Sequence, residues 1–290
     1  MRKYWRLLKA FTMAAIRTEA HLARLTAIAY VEHIDRLQSA YKGGLRLEPH
    51  GFKVYSQGDE DGQLQEIFRR IGTTDRRFIE IGVGEGSENN TAYLLHQGWS
   101  GVWIDHPSYA TGIAANWPAQ TAAGKLKFIG RLVDPDGVDD ALRDGGISGD
   151  IDLLGLDIDG NDFHVLRRIS LVRPRVICVE YNASFPPPYE WIMPYNAAHR
   201  YVDGSNYFGA SLSAFEKLMR DKGYSLVGCG LTGANAFFVR ADLAAGKFAE
   251  PLTAEHLYQP ARYYLSLWHP AMRQGFLTGW MPPQLLKDAG

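Results

Sequence analysis

The chain predicts an α/β fold: a mostly parallel sheet with helices on both faces. Three observations carry that reading. Apolar runs at Phe78–Ile81, Gly101–Ile104, Leu126–Ile129, Ile151–Leu156 and Val176–Val179 alternate with helix-forming stretches, the pattern of strand–helix–strand units. A glycine-rich turn, Gly82-Val83-Gly84-Glu85-Gly86, follows the first run directly. An acid stands at or near the end of four of the runs: Glu80, Asp105, Asp157 and Glu180. Open parallel sheets bind ligands beyond the C-terminal ends of their strands, so these four acids are expected to share one site.

Composition sets the outer bounds. With 290 residues the chain can bury one sizeable core and still carry extensions. We divide it into an N-terminal helical extension (1–50), the α/β domain (51–245) and a C-terminal helical extension packed on that domain (246–290). A formal charge of −1 gives no footprint for nucleic acid, so no nucleic-acid partner is expected. No apolar run approaches the ~18 residues that suggest a bilayer span. The N-terminus lacks a signal-peptide core and cleavage site, which makes the cytoplasm the expected compartment. Cys178 and Cys229 lie in apolar, strand-like runs and read as core.

Met1–Lys42 carries eight Lys/Arg against three Asp/Glu, with Tyr4, Leu7, Leu8, Phe11, Ala14 and Ala15 at helical spacing. A basic amphipathic helix of this kind has three readings. It packs on its own domain, rests weakly on the anionic cytoplasmic face of a membrane, or forms a homo-oligomer contact. Further on, the polar block Tyr55–Gln63 precedes a helix over Leu64–Ile71. Its acids read as partners for the exposed N–H groups at the helix start. Ser56 and Gln57 are left to reach over the ligand loop.

The glycine turn and its flanks carry the chemistry. Gly82, Gly84 and Gly86 permit a tight turn and the close approach of a ligand to the backbone. A helix is expected from near Ser87, covering Asn90–Gln97. Asp105 ends the second strand at about the spacing at which a carboxylate accepts the hydroxyls of a ribose. His106 follows it and is placed to touch the same ligand. Glu80 and Glu85 would repel a diphosphate, and suit a ligand with a cationic or amino-bearing portion such as S-adenosylmethionine.

Beyond Asp105 the chain predicts a helix over Tyr109–Ala123 broken near Pro118, a short helix within Pro135–Gly149, and a helix over Phe163–Ile169. The fourth and fifth strands end in Asp157-Ile-Asp-Gly-Asn-Asp and Glu180-Tyr-Asn182. These hard oxygen donors suit Mg²⁺ or Ca²⁺, with Asp157, Asp159, Glu180 and Asn182 as candidate ligands. Asp162 is read as a cap for the following helix, and turn capping is the alternative for the whole group. Asp157-x-Asp159-x-Asn161 lacks the glycine and glutamate of a calcium-binding EF-hand loop. A rigid run, Pro186-Pro187-Pro188, leads into a loop rich in Tyr, Asn, His and Gly. His199 in that loop is the candidate general base, whereas His164 falls within a helix. Leu212–Lys222 forms a helix, and Tyr224–Val227 with Ala236–Val239 an antiparallel pair. The tail Leu252–Leu286 can pack on the domain and carries no chemical signal.

Taken together, these residues resemble a class I S-adenosylmethionine-dependent methyltransferase, nearest the FkbM-like group. The resemblance rests on Ser56-Gln57-Gly58-Asp59-Glu60-Asp61-Gly62, on Glu80 to Gly86 followed by Ser87, Asn89, Asn90 and Thr91, and on Gly98-Trp99-Ser100-Gly101. It covers about Tyr55–Arg240. It implies a Rossmann-like, seven-stranded sheet with the last strand antiparallel. It also implies that Glu80, Gly82 and Gly84 surround a methionine moiety and that Asp105 holds the ribose; Gln57, Gly86, Asn90 and His106 complete the candidate cofactor set. One departure stands out: the group often has Lys-x-Asp-x-Glu-Gly at the fourth strand, and position 155 here is glycine. The acids at this strand end resemble instead those of metal-assisted sugar O-methyltransferases. The implied activity is O-methylation of a sugar, glycan or glycosylated metabolite, with Asp157, Glu180 and His199 as the catalytic candidates. The competing readings are an N- or protein methyltransferase, a nucleotide-sugar or dinucleotide enzyme, and a silent subunit of a glycan-assembly system.

Overall fold

The structure is a computed structural model and describes residues 31–202 and 205–265. Its centre is a seven-stranded sheet of β1 (Arg77–Ile81), β2 (Ser100–Asp105), β3 (Leu126–Gly130), β4 (Gly149–Leu156), β5 (Val172–Glu180), β6 (Tyr224–Cys229) and β7 (Asn235–Arg240), in the order β3-β2-β1-β4-β5-β7-β6. The first five strands are parallel. β7 inserts antiparallel between β5 and β6, so the seven-stranded, mostly parallel sheet implied by the resemblance is present. The strand order reverses between β1 and β4, which opens a crevice at the C-terminal ends of those two strands.

Side chains alternate across a strand, and that period divides the core in two. Ile79 and Ile81 of β1 point to one face, where they share a cluster with Val138 and Leu142 of α5 (Val138–Gly145), Phe163 and Leu166 of α6 (Asp162–Arg168), and Leu212 and Phe215 of α7 (Leu212–Asp221). Phe78 points to the other. It packs there with Leu64, Ile67 and Phe68 of α1 (Glu60–Ile71), Leu94 and Leu95 of α2 (Ala92–His96), and Ile113 of α3 (Ala110–Asn116). Pro118 opens the next short helix, α4 (Pro118–Ala122), and accounts for the predicted break. Cys178 and Cys229 are free and buried in the core.

Three expectations change. α2 is shorter than predicted because Asn89–Thr91 are held by Glu80 rather than by a helical turn. The acids at the start of α1 are not exposed partners of its dipole: Asp59, Glu60 and Asp61 are all buried. Asp59 Oδ1 accepts Leu231 N–H (2.9 Å), Glu60 Oε1 accepts Asn235 Nδ2 (3.1 Å), and Asp61 Oδ2 accepts the N–H groups of Val54, Tyr55 and Ser56. The Ser56–Gly62 segment therefore ties α1 to the β6–β7 turn. Ser56 is part of that staple, with its Oγ bonded to Gly58 O and Asp61 N, and does not reach over the ligand loop.

The extensions are described in part. Residues 31–39 are helical, and Ile34 is buried with Leu231 and Leu265. This end of the N-terminal helix packs on its own domain; most of the basic stretch lies outside the described residues, and the membrane and oligomer readings lie there with it. In the tail, Gln259 is buried and donates to Glu48 Oε1 (2.8 Å), while its carbonyl accepts the Tyr181 hydroxyl (2.6 Å). Among the described residues no helix is long and apolar enough to cross a membrane.

Glu66 on α1 gives the fold a measurable pH dependence. Burial pushes its carboxyl up, but hydrogen bonds from Arg69 and Arg70 outweigh burial and hold it at about 2. Arg70 also donates to the carbonyls of Leu45, Arg46 and Lys247, so the pair joins both extensions to α1. A depressed carboxyl stabilises the fold above its ordinary value near 4.5 and loses that contribution as pH falls toward 2. Glu66→Gln is expected to cost about 2 kcal/mol at pH 7. Urea denaturation should show the gap between wild type and variant closing as pH is lowered from 5 to 3; a pH-independent gap would contradict this assignment.

Candidate active site

A cavity of about 1070 Å³ opens over the C-terminal ends of β1, β2, β4 and β5. The backbone ladder continues into its floor: Gly82 N–H donates to Ile104 O and Asp157 N–H to Ile81 O, each at 3.0 Å. Gly82 has a left-handed φ of 86°, and a Cβ there would sit 1.4 Å from the Asp157 carbonyl oxygen. No side chain fits at that crossing. Gly84 and Gly86 are also left-handed, at 53° and 75°.

The glycine turn is held by Asp105. Its Oδ2 accepts the N–H of Val83 (2.7 Å) and of Gly84 (2.6 Å), and its Oδ1 accepts its own neighbour's, that of His106. Asp105 thus has a structural duty beside the ribose role implied by the resemblance, with lone-pair capacity left on Oδ1. Glu80 acts in the same way one strand over. Its oxygens accept Asn90 N–H (2.8 Å), Thr91 N–H (3.1 Å), the Thr91 hydroxyl and Asn89 Nδ2 (3.4 Å). Trp103 Nε1 in turn donates to Thr91 Oγ1 at 2.7 Å. Burial raises the Glu80 carboxyl and these bonds oppose the rise. Position 155 lies opposite Glu80 in the β1–β4 ladder, and a Cβ there would come within 3.0 Å of Glu80 Cγ. Any side chain at 155 would therefore press on the Glu80 side chain.

Asp157, Asp159 and Glu180 do come together: one carboxylate oxygen from each lies within 4.8 Å of the others. Burial, followed by the charges of the neighbouring acids, pushes Asp157 and Glu180 well above the usual carboxylate range. The Asp157 and Glu180 carboxyls lie in hydrogen-bond contact with each other, and Glu180 Oε2 is buried without a donor from any other described group. Asp159 has a left-handed φ of 56°, which costs a non-glycine residue about 1 kcal/mol or more. Asp162 is buried close to this group, near enough for its charge to act on Asp157 and Glu180. It closes the loop before α6 by accepting the N–H groups of Ile158 and Gly160, both at 2.8 Å, so it braces the preceding loop rather than capping the helix. Burial lifts its carboxyl to about 6 against those bonds.

Asn182 does not join the acids. It is fully buried, and its Nδ2 donates to the carbonyls of Asn206 (2.8 Å) and Phe208 (2.9 Å) while its Oδ1 accepts Ser184 N–H. With both ends of the amide engaged, it positions the loop after residue 204. His106 also stands apart. It caps the turn Pro107–Tyr109 through Ser108 and does not line the cavity. His199 lines the cavity, with its Nε2 3.0 Å from the Asp159 carbonyl. His164 is bonded to Met193 O. Gln57, Glu85 and Asn90 line the cavity as well.

Several lining residues carried no weight in the sequence reading. Arg131–Asp134 follow β3, and the strand-end rule that selected Asp105 could have found them. Asn235 begins an antiparallel strand and so reaches the same edge from its N-terminal side. Tyr263 lies in the tail that showed no chemical signal, and only the packed fold brings it to the cavity wall near Tyr201.

No protein-family model matches the chain, and no curated protein matches it. Solved structures do match. An O-methyltransferase family protein from Burkholderia thailandensis matches with a TM-score of 0.38 and 13% identity, over 62% of this chain and 57% of that one. Magnesium protoporphyrin IX methyltransferase from Synechocystis PCC 6803, solved with bound SAM, matches at 0.40 and 14%, over 63% and 79%. Mitomycin 7-O-methyltransferase matches at 0.35 and 16%, over 62% and 55%. At these values the chain's own sheet order and cavity carry the functional argument.

Proposed function

We propose that this chain is an S-adenosylmethionine-dependent O-methyltransferase that acts on a hydroxyl of a sugar or glycan. One observation carries the cofactor class: the cavity is rich in acidic side chains and in unpaired acceptors. Glu80, Glu85, Glu88, Asp105, Asp134, Asp157, Asp159 and Glu180 line it against two arginines, Arg131 and Arg200. Asn89 Oδ1 and Asn235 Oδ1, like Glu180 Oε2, are buried without a partner. A dinucleotide would bring two phosphates into this field, whereas a sulfonium with an amino group brings positive charge and hydrogen-bond donors.

Gly82–Gly86, Asn90 and Asp105 would hold the cofactor, which supplies a methyl group on positively charged sulfur. In the transfer the acceptor oxygen bonds to the methyl carbon as the carbon–sulfur bond breaks, and the hydroxyl proton leaves. His199 stands at the cavity wall to take it. Tyr195, Tyr201 and Tyr263 offer aromatic faces beside the acids, a wall suited to a sugar's C–H face and hydroxyl rim. The donor set of Asp157, Asp159 and Glu180 fits a hard divalent cation such as Mg²⁺, and the orphaned Glu180 Oε2 is the atom such an ion would satisfy. The ion would supply positive charge beside the acceptor hydroxyl. The same negative field also suits an amine acceptor, so nitrogen methylation is the second reading.

Isothermal titration should show S-adenosylmethionine binding and no comparable NAD binding. Asp105→Ala should weaken cofactor binding at least tenfold, through loss of a charge-assisted contact worth about 1.5–3 kcal/mol and of the brace on the turn. Tight NAD binding with no adenosylmethionine signal would sink the cofactor assignment. A mass-spectrometric screen for methyl transfer to candidate glycans and amines tests the acceptor class and separates an enzyme from a silent subunit. Titration with Mn²⁺ should give one site, weakened at least tenfold by Asp157→Asn or Glu180→Gln; equal affinity in all three proteins would reject the triad as ligands.

A further inference from the structure

We infer that the loop Asp157–Asp162 selects one tautomer of His199, with Gly160 as the positioning residue that makes room for the ring. The inference rests on the reading of His199 as the proton acceptor of the proposed reaction, and adds which ring nitrogen acts and what holds it.

The geometry of the loop leads there. His199 Nε2 lies 3.0 Å from the backbone carbonyl of Asp159. A carbonyl oxygen only accepts, so the nitrogen facing it must carry hydrogen. A neutral imidazole has one N–H, which leaves Nδ1 as the lone-pair nitrogen. The bond from one ring nitrogen thus assigns the role of the other.

Two features hold the carbonyl and the ring in register. Asp159 has a left-handed φ, one of two such non-glycine residues among those described. This residue presents its carbonyl to His199 and its carboxylate to Asp157 and Glu180. Gly160 comes next, and a Cβ there would stand 2.3 Å from His199 Cδ2 and 2.8 Å from Nε2. Its φ is not left-handed, so alanine would meet no backbone penalty of that kind; it would meet the imidazole. The loop is braced on both sides. Asp162 accepts Gly160 N–H, and Gly160 O accepts Gly209 N–H at 3.0 Å. The ring therefore has to yield before the loop does.

The test is nitrogen NMR on the full-length protein labelled with ¹⁵N-histidine, recorded where the ring is neutral. His199 is assigned by the cross-peaks lost in His199→Gln. The expected spectrum has Nε2 protonated and Nδ1 unprotonated. In Gly160→Ala the two nitrogen shifts should move toward each other as both tautomers become populated. An Nδ1–H tautomer in the wild type would overturn the inference, as would a His199 spectrum unchanged in a folded Gly160→Ala protein. Should that variant fail to fold, the wild-type spectrum alone decides. With an active acceptor, Gly160→Ala should lower kcat by about a hundredfold with adenosylmethionine affinity retained. Full turnover in His199→Gln would remove the base reading while leaving the tautomer assignment to the spectrum.

Discussion

The constraint on which the site depends is a set of acidic side chains crowded into a crevice with few cations. The fold answers it with backbone N–H groups. Asp105 takes up those of Val83, Gly84 and His106; Glu80 takes up those of Asn90 and Thr91; Asp162 takes up those of Ile158 and Gly160. Each shapes a loop at the cavity rim in return, and for Glu80 and Asp162 these bonds oppose the upward push of burial. Asp157, Asp159 and Glu180 are the lining acids brought close to one another, and the last of them keeps a buried oxygen with no partner. The division is chemical. Acids bonded to the chain build the floor and walls, and the acids left to one another are those proposed to meet a ligand.

The same logic extends away from the cavity. Asp59, Glu60 and Asp61 staple α1 to the β6–β7 turn and to residues 54–56. Asn235 belongs to both networks: its Nδ2 donates to Glu60, and the residue lines the cavity. The segment before α1 therefore reaches the cavity at Gln57, and Glu60 holds Asn235 at its wall. The crossing of Gly82 over Asp157 fixes how closely β1 and β4 meet, and hence where the floor lies.

Much of this was legible in the chain. Every strand expected from an apolar run is present within a few residues, because burial on both faces of a parallel sheet leaves continuous apolar sequence. The convergence of Glu80, Asp105, Asp157 and Glu180 followed from strand ends alone. Individual duties were not legible, because an acid quenched by N–H groups and an acid facing a ligand look alike in sequence. Asn182 is two residues past Glu180, yet its amide turns inward to carbonyls at 206 and 208. His106 follows Asp105, yet its ring caps a local turn. The acids before α1 fitted a simple dipole argument, and their burial depends on partners more than 170 residues away in the case of Leu231 and Asn235. Tyr263 needed the packed tail.

The proposed chemistry therefore depends on the division between acids bonded to the chain and the three acids left to one another. Crystals grown with S-adenosylmethionine and Mn²⁺, with data collected at a wavelength where manganese scatters anomalously, test that division most directly. The account predicts cofactor density against Gly82–Gly86 and Asp105, with an anomalous peak among Asp157, Asp159 and Glu180. Cofactor bound outside this cavity, or manganese on Glu80 or Asp105 in place of those three acids, would contradict it.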